Sequence, residues 1–121
     1  MILDNIEEPN DIKKVLPQDY DRLAGEIRER ITKCVGNNGG HLSSSLGVVE
    51  LTMALHLALN LPEDKIIWDV GHQAYTHKIL SGRNAQFDTL RQHGGISGFP
   101  SLSESECDAV SYTHLRAHET L

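Results

Sequence analysis

Ile66-Ile67-Trp68-Asp69-Val70-Gly71-His72-Gln73-Ala74-Tyr75 is the stretch on which the reading of the fold turns. A short, largely apolar run without alternation predicts a strand over 66–70 covered on both faces, as in parallel α/β sheets. The run ends in Gly71-His72 and passes into a segment that reads as helix, about Gln73 to Leu80, stopped by Ser81-Gly82. In open parallel sheets, ligands gather just beyond the carboxyl ends of the strands. A glycine there lets backbone approach a ligand closely, and a histidine can donate, accept or shuttle a proton. Position alone therefore makes His72 a candidate binding residue.

Upstream, residues 1–17 read as an irregular arm closed by Pro17. From Asp19, which can cap a helix start, the residues Tyr20, Leu23, Ala24, Ile27, Ile31, Cys34 and Val35 follow helical spacing. Gly36 and Asn37 supply a left-handed stop. After the loop Asn37-Asn38-Gly39-Gly40-His41, a second helix is expected from about Leu46 to Asn60, with Ser43, Ser44 and Ser45 as candidate caps. Its apolar residues nearly encircle it, which predicts burial on most sides. Downstream, a short helix is expected over Ala85 to Gln92 with Phe87 and Leu90 facing inward, then a loop over 93–106 rich in glycine. No internal repeat is visible.

The fold class expected is α/β, rich in helix and with one parallel-type strand. That strand has no visible neighbour to satisfy its backbone groups, so the chain reads as the opening piece of a larger enzyme. At 121 residues and 39% hydrophobic content it suits one domain. The net charge of −6 argues against nucleic acid, whose binders usually carry a basic face. No run is long enough to span a bilayer, and the acidic start resembles neither a secretory signal nor a transit peptide. Cys34 and Cys107 form no paired motif, which favours reduced thiols and a cytoplasmic location.

Gly39-Gly40-His41 followed by three serines sets an imidazole at a helix N-terminus, where backbone donors suit an anion. A helix-capping loop with an incidental histidine accounts for the same residues. His56 reads as a satisfied core residue, while His77 and His93 read as surface residues. His114 and His118 have the i, i+4 spacing of metal ligands but lack a third ligand, so a zinc site is not expected. Glu104 and Glu106 read as a solvated loop edge, and no phosphate-cradling GxGxxG or GxxxxGK[ST] motif occurs.

Taken together, three blocks resemble one family. Asn38-Gly39-Gly40-His41-Leu42-Ser43-Ser44-Ser45-Leu46-Gly47-Val48-Val49-Glu50-Leu51-Thr52 is similar to the first active-site segment of the 1-deoxy-D-xylulose-5-phosphate synthases. Ile67-Trp68-Asp69-Val70-Gly71-His72-Gln73-Ala74-Tyr75, with His77-Lys78-Ile79-Leu80-Ser81-Gly82-Arg83, resembles the second. Arg91-Gln92-His93-Gly94-Gly95-Ile96-Ser97-Gly98-Phe99-Pro100 and Glu104-Ser105-Glu106 resemble the loop that follows. The likeness covers residues 1–111 and favours this family over its transketolase relatives.

The resemblance implies the N-terminal piece of a transketolase-like, thiamine-diphosphate-binding domain. It implies an enzyme that joins pyruvate, with loss of carbon dioxide, to glyceraldehyde 3-phosphate, giving 1-deoxy-D-xylulose 5-phosphate for isoprenoid, thiamine and pyridoxal synthesis. On the family pattern His41 is a proton-transfer residue, His72 binds the cofactor on its diphosphate side, and Ser44 lines the same pocket. The family is homodimeric. Its magnesium ligands belong to a downstream Gly-Asp-Gly and Asn segment outside this chain, so the chain alone is expected to be inactive. Two departures stand out: Thr76 replaces a usual proline or alanine, and after Ser111 the chain leaves the family's Val-Gly-His-Ser-Ser. Residues 1–111 are thus expected to form the partial domain and residues 112–121 a non-native tail. The alternatives are another transketolase-like enzyme, a split subunit of one, or a non-catalytic His-rich metal or interaction module.

Overall fold

The computed structural model describes residues 1–40, 42–69 and 71–110. The expected helix from Asp19 forms as α1, Tyr20–Asn38. Its i, i+4 apolar positions Leu23, Ile27 and Ile31, with Ala24 and Cys34, are buried in the main core. Asp19 occupies the N-cap position, but its side chain makes no capping bond; the 3-10 turn Pro17–Asp19 leads the chain in instead. The helix continues past Gly36 to Asn38, whose amide reaches the carbonyls of Asp88 and Leu90, and reverses at Gly39 with φ 79°.

The arm ahead of α1 is more ordered than expected. It folds as 3-10 turns Ile2–Asn5 and Asp11–Lys14, which bury Leu3, Ile6 and Ile12. Glu26 of α1 caps the first turn from a distance, accepting from the Ile2 and Leu3 N–H groups at 3.3 and 3.0 Å. The Asn10 side chain pairs with both backbone groups of Leu61, donating at 2.6 Å and accepting at 3.1 Å. Such turns follow no helical or strand period, so hydrophobic spacing does not reveal them.

The single helix expected over 46–60 is two. α2 spans Ser43–Leu46, and α3 spans Val49–Ala58. Between them Gly47 and Val48 change the direction of the chain, and Thr52 Oγ1 donates back to the Val48 carbonyl at 2.6 Å. Burial of α3 is also one-sided rather than all round. Val49, Thr52, Met53 and His56 are buried, whereas Leu51 is 55% exposed and Ala54 and Ala58 are exposed too.

The predicted strand over 66–70 is corrected. Among the described residues there is only an isolated parallel bridge, from Ile67 to Ala109. Ile66 is buried with Leu61 and Cys107, while Ile67 is 60% exposed, so one face is covered and the other is not. A strand needs laterally paired neighbours, and one bridge does not make a ladder. The result is a helix-rich structure with almost no strand.

Past the 3-10 turn Gly71–Gln73, α4 spans Tyr75–Lys78 and widens into a π-type turn over Ile79–Arg83. Gly82 makes the exit at φ 103°; a Cβ there would lie 2.6 Å from the Glu7 carbonyl oxygen, so the arm presses on this corner. The helix expected over 85–92 is a 3-10 helix, Asn84–Thr89, with Phe87 and Leu90 buried as its pattern predicts. α1, α3 and α4 pack on one another around the core. The proposed tail, 112–121, with His114 and His118, lies outside the described residues.

Candidate functional site

The chain before α2 and the chain before α4 meet. α2, which carries Ser44, packs against the Gly71–Gln73 turn, which carries His72 in its backbone. His41 lies outside the described residues, but its neighbour Gly40 has φ 129° and lies against the ring end of Tyr75. A Cβ on Gly40 would be 2.8 Å from the Tyr75 hydroxyl and 3.2 Å from Arg91 Nη1, so only glycine lets this loop come so close. Structure therefore brings Ser44 and the His72 turn together, and sets the residue before His41 beside Tyr75 and Arg91.

Arg91 and Tyr75 open onto a cleft of about 590 Å³ whose other walls include Ser97, Gly98, Phe99 and Glu104. Tyr75 Oη is buried without a hydrogen-bond partner, and so is Ser44 Oγ on α2, the helix beside the Gly71–Gln73 turn. Buried polar atoms are normally paired, so an orphaned donor in a cleft suits an incoming acceptor. The exposed Arg91 side chain lines the same cleft as Tyr75 and adds a positive charge. Sequence reasoning missed both Tyr75 and Arg91 as site residues. Each stood inside a motif block, yet neither has a spacing that marks it.

Behind the cleft lies a buried polar network that sequence reasoning also missed. His77, read from sequence as a surface residue, is fully buried, and so are Lys78 and Asp108. Glu104, read as a solvated edge, accepts from Lys78 Nζ at 2.9 Å and Arg83 Nη1 at 2.8 Å. Arg83 clamps Asp108 with two bonds, at 2.9 and 2.6 Å. Glu106 is exposed, as expected.

His77 Nε2 faces two acceptors, the Cys107 carbonyl at 3.0 Å and Asp108 Oδ1 at 3.1 Å, so it carries a hydrogen. His77 Nδ1 is 2.9 Å from His56 Nε2, and His56 Nδ1 has no partner. The arrangement that strands no buried N–H puts the His56 hydrogen on Nε2, donating to His77. Burial, helped by the nearby positive groups, pushes the His56 pKa down to about 3, so this ring is neutral at neutral pH. His56 is a core residue as expected, with Nε2 paired and Nδ1 unpartnered.

Burial also lowers the Lys78 pKa, against the pull of Glu104. For Asp108, burial works to raise the carboxyl, but bonds from His77, Arg83 and the Ser101 N–H outweigh it and hold the pKa well below the usual range. Arg83 suffers the same desolvation, and its two carboxylates more than offset it.

The orphaned hydroxyls on α2 and α4, each close to a glycine-bearing turn, suit an incoming acceptor. Comparison with known proteins places the chain more narrowly. The family model described as 1-deoxy-D-xylulose-5-phosphate synthase matches residues 3–118. Curated proteins of that name from Lachnoclostridium phytofermentans, Syntrophomonas wolfei and Neisseria meningitidis are 60%, 58% and 52% identical over 93% of this chain. The chain spans 18% of the length of those relatives. It belongs to the 1-deoxy-D-xylulose-5-phosphate synthase family.

Proposed function

We propose that the chain is part of a cytoplasmic, thiamine-diphosphate-dependent transferase. The whole enzyme condenses pyruvate with glyceraldehyde 3-phosphate, with decarboxylation, to 1-deoxy-D-xylulose 5-phosphate. The observation that carries this reading is the orphaned Tyr75 hydroxyl, set with the Arg91 cation beside Gly40, together with the orphaned Ser44 hydroxyl on α2, the helix that packs on the Gly71–Gln73 turn.

Those residues fit the cofactor. A diphosphate offers acceptor oxygens and negative charge, which buried hydroxyls and a nearby guanidinium complement. Ser44 and His72 would hold the diphosphate side, and His41 would move protons at the reacting end. An imidazole, whose ordinary pKa is about 6.5, is the side-chain type suited to both giving and taking a proton near neutrality. When bound, thiamine diphosphate supplies the carbanion chemistry, while the protein supplies orientation and proton traffic. Among the described residues no group of three or more His, Cys, Asp or Glu could hold a metal. In this reading the magnesium ligands belong to the part of the family outside this chain, as does the pairing surface of the homodimer.

Two measurements test the reading. Calorimetric titration of the chain with thiamine diphosphate and magnesium should give heat that Ser44→Ala together with Arg91→Ala removes. Heat unchanged by that double substitution overturns the site. Incubation of the chain alone with pyruvate, glyceraldehyde 3-phosphate, thiamine diphosphate and magnesium should yield no 1-deoxy-D-xylulose 5-phosphate, and measurable product overturns the division of labour.

A further inference from the structure

The loop from Ser97 to Ser101 is tied at both ends to carboxylates, one half-buried and one fully buried. Glu104 Oε2 accepts the Ser97 N–H at 2.7 Å, and Lys78 Nζ donates to the Ser97 carbonyl at 2.6 Å. At the other end Asp108 Oδ2 accepts the Ser101 N–H at 2.8 Å. Each carboxylate is itself held by the Arg83 guanidinium. Inside this fastened loop the Phe99 N–H donates to Ser97 Oγ at 3.1 Å.

What lies between the ties presses on the His72 turn. A Cβ at Gly71 would be 2.7 Å from Pro100 Cδ and 3.1 Å from Phe99 Cδ1, so Phe99 and Pro100 lie directly on the backbone of that glycine. The turn beneath is short and closed by one bond of its own backbone, from the Ala74 N–H to the Gly71 carbonyl at 3.2 Å. A turn this short owes its shape to what packs on it.

We propose that Glu104 is a positioning residue for the Gly71–Gln73 turn, acting through the Phe99-Pro100 strap that it fastens to Lys78 and Arg83. The role rests on the reading above, in which that turn presents a cofactor-binding residue. Glu104 touches no reacting atom. It holds the strap, and the strap holds the turn.

Hydrogen exchange and amide spectra of the full 121-residue chain test this. In Glu104→Gln and in Phe99→Ala, the Ala74 amide should exchange at least tenfold faster and the Gly71 amide signal should move. Ile31 of α1 should be unchanged, as should every one of these readouts in Glu106→Gln. Phe99→Tyr, which keeps the ring, should behave as the parent. The proposal is overturned if Ala74 exchange stays within twofold of the parent in Phe99→Ala or in a folded Glu104→Gln. It is equally overturned if Ile31 accelerates as much as Ala74 in Phe99→Ala. Should Glu104→Gln fail to fold, the two Phe99 variants decide alone. Adding thiamine diphosphate with magnesium to the parent should shift the Gly39, Gly40 and Gln73 amides. Absence of that shift sinks the cofactor reading, while the strap is judged on the exchange rates.

Discussion

Two buried regions hold this molecule together by opposite means. Under α1, Leu23, Ile27 and Ile31 pack with Ile12, Ile79, Leu80 and Phe87, side chains that carry no charge. From α4 to Asp108, the buried groups are His56, His77, Lys78, Arg83 and Asp108, joined by bonds between 2.6 and 3.1 Å. The first region tolerates any apolar group of similar volume, because burial of apolar surface is not directional. The second tolerates almost nothing, because each of its members is another's desolvation remedy. The second region adjoins the cleft through Glu104.

The contrast breaks most visibly at Arg83. Arg83→Ala leaves Asp108 without its clamp and Glu104 with only the Lys78 ammonium and the Ser97 N–H, and should cost about 3–5 kcal/mol, the usual penalty for stranding a buried charge. Urea unfolding followed by the fluorescence of Trp68 would show it. On the apolar side Ile27→Ala should cost about 2–4 kcal/mol, and Ile27→Val no more than about 1.5 kcal/mol. A Val variant as damaging as the Ala variant would mean that this core is as exacting as the ionic one.

A pH series sharpens the comparison. His56 has a folded pKa of about 3, below its ordinary value of about 6.5, so the unfolded chain takes up the proton first. Its contribution is complete above pH 6.5 and is lost as the pH falls from there toward 3. Stability should fall by about 1.4 kcal/mol per pH unit on account of this one ring, and His56→Gln should remove that share of the slope. Equal slopes in parent and variant between pH 6 and 4 would contradict the assignment. The smallest effect belongs to the surface pair of Arg28 with Glu50, both partly exposed. Glu50→Gln should change stability by less than about 1 kcal/mol, and less again at high salt.

The same two regions explain what could be read in the sequence. α1 was legible because apolar residues recur at helical spacing and water leaves one face bare. Phe87 and Leu90 were legible for the same reason. His77, Lys78 and Glu104 were not, because a polar side chain is buried only when a partner waits for it. Their partners lie between 19 and 31 residues away in the chain, at Ser97, Glu104, Cys107 and Asp108. No local pattern carries that information. The strand over 66–70 failed on a related ground: an apolar run states a wish to be covered, not what covers it.

At the site, Gly71-His72 and Gly40 were readable as glycines near a histidine, and Ser44 as part of a serine run. Their adjacency was not readable, because it depends on α2 meeting the turn before α4. Arg91 and Tyr75 became site residues only once Gly40 was seen beside both.

One thiol lies in the oily region, and the other lies next to the ionic one, in a smaller apolar cluster. Cys34 is buried against the Phe87 carbonyl, and Cys107 is buried beside Leu61 and Ile66. Burial raises the pKa of both, which keeps them protonated and slow to react. An alkylating reagent thus finds two separate clocks, one started by breathing of the oily half and the other by breathing of the ionic half. Their relative rates, read by mass spectrometry on a single sample, would say which half lets go first.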